Sequence, residues 1–162
     1  QTSKIIQTSA LLGYYAANNF ESSAEELFIQ MGDKCGYIFQ IMNDMEAFCA
    51  KDKLINHKGN FNNDFEKNRK NIVIPYMFDL ISKREKQAIL NTSGNEQREL
   101  LKKYFDKYSF KTTFINEIET IEESIIDDIA QLTSLNNSFN WQRIFTYFIE
   151  SVTKVCKKRL DI

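Results

Sequence analysis

The stretch from Gly32 to Phe48 constrains the fold of this chain more than any other part of its sequence. On a helix, this stretch and the preceding Met31 present an apolar row with steps of three and four residues, made of Met31, Cys35, Ile38, Phe39, Met42 and Met45. A polar row with the same spacing lies beside it and is made of Gly36, Gln40, Asn43 and Asp44. The pattern predicts a buried helix with one polar edge. Such an edge either borders a pocket or is the ordinary shoulder of a buried helix.

The rest of the sequence also favours helices. Serines at 22 and 23, each followed three residues later by a glutamate, form a capping-box pattern that starts the long helix, which we expect to end near Ala50. Further helices are predicted over residues 1–18, 72–81, 84–107 (as two short helices), 110–135 and 141–159. No strand-like alternation of useful length occurs. We therefore predict an all-α fold, organised as a single domain over residues 1–162.

Composition narrows the possible partners. The formal net charge is −1, so there is no basic excess that would favour nucleic acid, and we expect no nucleic-acid partner. Aromatic residues are abundant, with 13 Phe and 7 Tyr, whereas Gly and Pro are few. This combination is typical of long, continuous helices with large side chains between them.

Three cysteines are present, an odd number, and we interpret them as reduced thiols of a cytoplasmic protein. No apolar run approaches the roughly 20 residues that span a bilayer, so no transmembrane segment is predicted. The first residue is Gln1 rather than Met. This favours a processed chain or one piece of a longer protein.

Few residues suggest chemistry directly. The polar segment 51–70 is long for a simple connection and is predicted to be an active-site loop; its His57 is interpreted as a solvated residue. Asp44, with Gln40 one turn earlier and Asn43 beside it, offers oxygen ligands of the kind that Mg²⁺ prefers when it also binds phosphates. The pair Asp127–Asp128 is interpreted as a solvated helix face.

The run from Phe39 to Ala47 resembles the second aspartate-rich motif of the trans-isoprenyl diphosphate synthases, Phe-Gln-x-x-Asp-Asp-x-x-Asp, with Gly36 matching a glycine ahead of it. Gln1-Thr2 resembles the family's Lys-Thr, and the basic residues before Ile74-Pro75 resemble the loop ahead of its Thr-Leu-Pro. The resemblance covers essentially the whole chain as the C-terminal half of such an enzyme. Within the family, the chain is most similar to bacterial isoprenyl transferases that modify competence-pheromone peptides.

The resemblance implies a helical bundle of the isoprenoid synthase type, incomplete with this half alone, and Mg²⁺-dependent transfer of an allylic isoprenyl group from its diphosphate. Mg²⁺ would enter through the substrate diphosphate. Asp44 would be the catalytic, metal-linked carboxylate, with Asn43 and Gln40 as lesser ligands. The implied diphosphate contacts are Thr2, Arg69 and Lys70, and the implied pocket residues are Phe39, Tyr14 and Tyr15. Aromatic residues at such spacings are also typical of a plain core.

The chain departs from the motif at Asn43 and Ala47, which replace two of its three carboxylates, and Asp-Asp-x-x-Asp does not occur in these 162 residues. Two explanations stay open: a partner or N-terminal half carries the first aspartate-rich motif, or the chain is a non-catalytic relative that acts as a binding or regulatory subunit. A helical protein-interaction domain is a third. In each case we expect an oligomer.

Overall fold

A computed structural model describes residues 2–16, 22–49, 71–135 and 141–159. This part of the chain forms helices and no strand. The helices are α1 (Thr2–Ala16), α2 (Ser22–Cys49), α3 (Val73–Leu80), α4 (Lys83–Leu90), α5 (Gly94–Lys107), α6 (Phe110–Leu135) and α7 (Trp141–Arg159). The predicted all-α fold is confirmed.

The predicted elements match the structure closely. The long helix is confirmed as α2, with 28 residues, and Pro75 lies in the first turn of α3, where its missing N–H costs little. The proposed loop over residues 51–70 and its His57 lie outside the described residues. None of the described helices combines the length and the apolar character that crossing a bilayer requires.

The chain divides into two compact units, and α2 and α6 each contribute to both. Unit 1 comprises Gln1–Gln40 and Glu117–Lys158, and unit 2 comprises Ile41–Asn116 and Arg159–Ile162. The apolar row of α2 is buried as predicted in both, except for Phe39, which is only half-buried.

Two glycines of α2 allow α1 to approach closely in unit 1. A Cβ on Gly32 would lie 2.5 Å from the Gln7 Cγ, and one on Gly36 would lie 2.5 Å from the Ser3 Cα. The side chain of Gln7 is itself buried and donates from its amide nitrogen to the Ile29 carbonyl over 3.1 Å. Gly36, which the sequence pattern places on the polar row of α2, is buried in the structure, because α1 covers it.

The remaining core of unit 1 is largely aromatic and branched. Tyr14 packs against Phe28 with ring centroids 5.1 Å apart, and Phe28 lies 5.9 Å from Phe145. Helix α6 adds a buried row consisting of Ile118, Ile125, Ile129 and Leu132. The spacing of these residues places them on one face of the helix predicted over residues 110–135.

Unit 2 buries its own cluster of large side chains. Phe48 of α2 stacks on Phe105 of α5, with ring centroids 4.5 Å apart. Tyr76 of α3 contacts Phe110 and Phe114 of α6 at centroid distances of 6.1 and 5.0 Å. These ring contacts connect four helices around one core.

Helices α4 and α5 are joined at one end by Glu85. Its carboxylate accepts from the Ser82 N–H (2.9 Å) and hydroxyl (2.7 Å), while the Glu85 N–H donates to the Ser82 Oγ, which completes a capping box. The same carboxylate accepts from the Lys107 ammonium (2.6 Å) and the Tyr108 hydroxyl (2.8 Å). These donors, led by Lys107, lower the pKa of Glu85 from 4.5 to about 2.

Gly36→Ala is expected to destabilise the protein by about 1–3 kcal/mol, because its methyl group would meet the backbone of α1 at Ser3. Gly13→Ala is the matched control. A Cβ there has no neighbour within 4 Å, so the better helix propensity of Ala should stabilise by up to about 1 kcal/mol. Urea unfolding measures both. Equal effects at the two positions would contradict the close crossing of α1 and α2.

Glu85→Gln is expected to make stability less dependent on pH. A carboxylate whose pKa is depressed on folding stabilises fully above its unfolded value of 4.5, and this contribution is lost as the pH falls toward about 2. The difference in melting temperature between wild type and E85Q should therefore shrink as the pH falls through that window. Glu99→Gln, the same substitution at an exposed position on α5, is the control. A pH-independent difference for E85Q would refute the assignment.

Candidate functional site

Asp44, the carboxylate singled out by sequence, lies half-buried on the part of α2 that belongs to unit 2. Its Oδ2 accepts a hydrogen bond from the backbone N–H of Ile72 over 2.7 Å. Ile72 is the residue immediately before α3, so the carboxylate also lies at the positive end of that helix. Asp44 therefore connects α2 to the start of α3.

A second side chain accepts a hydrogen bond at the same end of α3. The N–H of Ile74 donates to the Asn71 side-chain oxygen over 3.0 Å, and Pro75 has no N–H to satisfy. Helix N-termini leave their first N–H groups without partners inside the helix, and acceptors such as these compensate for that. One established role of Asp44 is thus structural, whatever else it binds.

The two neighbours predicted to help Asp44 share its helix but differ in environment. Gln40 is half-buried and is the last α2 residue in unit 1, whereas Asn43 is exposed in unit 2. Gln40 and Asp44 each make further contacts within the structure. An exposed amide at Asn43 is available to a ligand but is not fixed by packing.

Most of the residues predicted to contact a diphosphate lie outside the described part of the chain. Thr2 begins α1, but its side chain is not among those described, and Arg69 and Lys70 lie outside the described residues. In the sequence, however, Lys70 directly precedes Asn71, whose side chain accepts from the first turn of α3.

The predicted pocket aromatics belong to the packing of unit 1. Tyr14 is buried against Phe28, and its ring centroid lies 5.9 Å from that of Tyr15. A hydrogen bond to the Glu25 carboxylate is the largest cause that raises the pKa of Tyr15. Phe39 is half-buried. The packing of these three aromatic residues is that expected for core residues as much as for the wall of a substrate pocket.

The described residues do not supply a metal centre by themselves. Across residues 2–16, 22–49, 71–135 and 141–159, no group of three or more His, Cys, Asp or Glu side chains is arranged to hold a metal ion. Asp44 offers one carboxylate, and one of its oxygens already accepts from Ile72. Additional ligands would have to come from elsewhere.

Sequence reasoning misjudged Asp128, which was predicted to lie on a solvated face. It is buried on α6, and its Oδ2 pairs with the Lys34 ammonium of α2 at 2.5 Å. Lys34 also donates to the Ser124 carbonyl over 3.3 Å. The missed signal is the spacing of Ile125, Asp128 and Leu132, which puts the carboxylate on the buried side.

The two thiols that the structure describes both have raised pKa values. Cys35 is buried, and its burial, helped by the charge of Asp128, raises its pKa to about 11. Cys49 is half-buried, and burial likewise raises its pKa. Both are free thiols, as predicted, and neither has the lowered pKa of a nucleophilic cysteine.

Comparisons of this chain with protein-family models, with curated proteins and with solved structures find no match.

Substitution of Asp44 separates its structural role from its charge. Asp44→Ala should cost about 1–2 kcal/mol, because the Ile72 N–H loses its acceptor. Asp44→Asn should cost less than about half of that, since the amide oxygen can still accept. Urea unfolding of both variants measures the difference. Equal losses for the two variants would contradict the importance of this hydrogen bond.

Proposed function

We propose that this chain forms one half of a Mg²⁺-dependent prenyltransferase of the isoprenyl diphosphate synthase type. It would bind an allylic isoprenyl diphosphate together with an N-terminal half, or a partner subunit, that carries the first aspartate-rich motif. The fold would be the C-terminal part of an isoprenoid synthase bundle, in a cytoplasmic protein. This proposal rests on the motif from Phe39 to Ala47 and on the environment of its one remaining family aspartate.

The contact between Asp44 and Ile72 is the observation that supports the proposal best. It brings the motif carboxylate to the start of α3, directly after the basic stretch that ends at Lys70. In the sequence, Lys70 lies two residues before Ile72. A metal-bound diphosphate needs carboxylate and cationic groups near each other, and this connection favours that combination.

Magnesium would be shared rather than held by this half. Mg²⁺ is commonly bound by one or two carboxylates, several waters and substrate phosphates. Asp44 would supply a carboxylate, with Gln40 and Asn43 contacting ordered water or phosphate, and the other ligands would come from the diphosphate and the other half. No reaction step is assigned to Asp44 on this basis, because the described residues do not complete a metal site.

A second function is favoured by the same carboxylate. Because Asp44 already accepts from the start of α3, a non-catalytic relative could keep this residue for its structure alone. The chain would then act as a binding or regulatory subunit, without turnover.

Binding of farnesyl diphosphate, titrated by calorimetry with and without Mg²⁺, tests the proposal. Wild type should bind more tightly with Mg²⁺, and Asp44→Asn should weaken the Mg²⁺-dependent part at least about tenfold, because it removes charge while keeping the hydrogen bond to Ile72. Asp33→Asn is the matched control, since Asp33 is an exposed aspartate on the same helix, and should bind as wild type does.

Measuring diphosphate release distinguishes a prenyltransferase from a non-catalytic subunit. Diphosphate release should appear only when a polypeptide carrying the Asp-Asp-x-x-Asp motif is added. Binding that is never followed by release would support the non-catalytic subunit. Binding that is equal in wild type and D44N, or independent of Mg²⁺, would refute the metal-linked role of Asp44.

A further inference from the structure

Helices α4 and α5 form an antiparallel hairpin in unit 2, and positive charge is concentrated at one of its ends. At the end where α4 begins and α5 finishes, the Glu85 carboxylate accepts from Lys107 and Tyr108. At the opposite end, the Gln97 side-chain amide donates to the Ile89 carbonyl over 3.0 Å. Residues 79–86 and 102–111, which flank the first end, contain seven basic and three acidic residues. The stretch 87–101 between them contains one basic and two acidic residues.

Four exposed cations belong to this end of the hairpin. We name them the basic end, and they are Lys83 and Arg84 in the first turn of α4 and Lys103 and Lys107 in the last two turns of α5. Of the three carboxylates in the flanking stretches, Glu85 already accepts from Lys107, whereas Asp79 and Asp106 are exposed. Because seven basic residues accompany these three acids, the local charge is positive although the chain as a whole carries −1.

Two tyrosines and Glu85 hold the lysines of α5 in place. The Lys107 ammonium lies 5.0 Å from the centre of the Tyr108 ring and 5.9 Å from that of Tyr104, and the Lys103 ammonium lies 5.9 Å from the centre of the Tyr104 ring. The Tyr108 hydroxyl donates to the Glu85 carboxylate, which Lys107 also contacts. These contacts keep the cations of α5 beside the start of α4.

Apolar surface accompanies the cations. Leu80 lies two residues before Ser82, the N-cap of α4, and is 55% exposed, and Tyr108 is 36% exposed. Exposed apolar side chains beside Lys and Arg are typical of surfaces that lie on a lipid bilayer, where tyrosines favour the headgroup level. A soluble anion would pair with the cations, but it would leave the exposed leucine in water. The combination therefore favours a lipid surface.

We propose that the basic end of the α4–α5 hairpin docks this protein onto an anionic lipid surface. Lys83 and Arg84 reach the lipid phosphates with their long side chains, and Leu80 enters the boundary between headgroups and acyl chains. A contact of this kind lies on the bilayer and requires no helix that spans it. The docking does not depend on the proposed prenyltransferase function.

The number of cations predicts reversible binding that depends on salt. Each Lys or Arg next to an anionic membrane strengthens binding by about fivefold, and the basic end contains four. The attraction falls off within a Debye length, so binding should be lost as salt is raised from about 0.1 to 0.5 M.

Co-sedimentation of the full chain with vesicles tests the docking. Wild type should bind vesicles of phosphatidylcholine with about 30% phosphatidylserine more tightly than vesicles of phosphatidylcholine alone. Lys83→Gln with Arg84→Gln should lower the partition coefficient on the anionic vesicles at least about tenfold, because two charges are removed. Leu80→Gln should also lower it, because this largely exposed side chain no longer enters the bilayer.

The matched control is Lys154→Gln with Lys158→Gln. It removes the same charge from exposed positions of α7, in unit 1, and should bind the anionic vesicles as wild type does. A titration with inorganic diphosphate at constant ionic strength distinguishes a lipid surface from a site for a soluble anion. Docking on a surface predicts that diphosphate leaves the bound fraction unchanged.

Four results would overturn the proposal: equal binding to both kinds of vesicle, K83Q/R84Q binding as wild type does, an equal loss in the control pair, or displacement by diphosphate. Helical circular dichroism identifies any variant that does not fold. If K83Q/R84Q does not fold, Lys102→Gln with Lys103→Gln, at exposed positions of α5, decides the result with the same expected loss.

Discussion

Burial of one continuous apolar face of α2 is the constraint on which both compact units depend. The same helix provides Met31, Cys35 and Ile38 to the core of unit 1 and Met42 and Met45 to that of unit 2. A helix of 28 residues can do this only if its apolar row continues without interruption, and the steps of three and four in the sequence provide that continuity. The polar residues beside this row are thereby held at the edges of packed cores, and their chemistry depends on which helices cover those edges.

In unit 1, the helix that covers the polar edge of α2 is α1. Gly32 and Gly36 lack side chains where Gln7 and Ser3 approach, so the helices come closer than larger residues would permit. Gly36 was matched by its position to a glycine ahead of an aspartate-rich motif, yet its contacts in this structure account for it by packing alone. A glycine at a motif position is therefore weak support for a functional assignment when another helix passes over it.

Buried carboxylates differ in what they are paired with, and this decides what each can do. Asp128 is paired with Lys34, so its charge is already compensated inside unit 1. Asp44 accepts from a backbone N–H and remains half-buried at the start of a helix that follows a basic stretch of sequence. Of the two, Asp44 is the better candidate for a functional carboxylate. Replacing it with Asn rather than Ala removes its charge but keeps an acceptor for the Ile72 N–H, so the two roles can be measured separately.

The sequence by itself determined the helices, their approximate ends and their apolar rows, because a spacing of three and four residues is a local property of each segment. It also predicted free thiols, which the structure confirms for Cys35 and Cys49. Only the tertiary structure decided the partners of polar groups: Asp44 with Ile72, Asp128 with Lys34, and Gly36 with Ser3. The physical reason is that these partners lie 28 or more residues apart in sequence, so that each contact forms only once particular helices have packed.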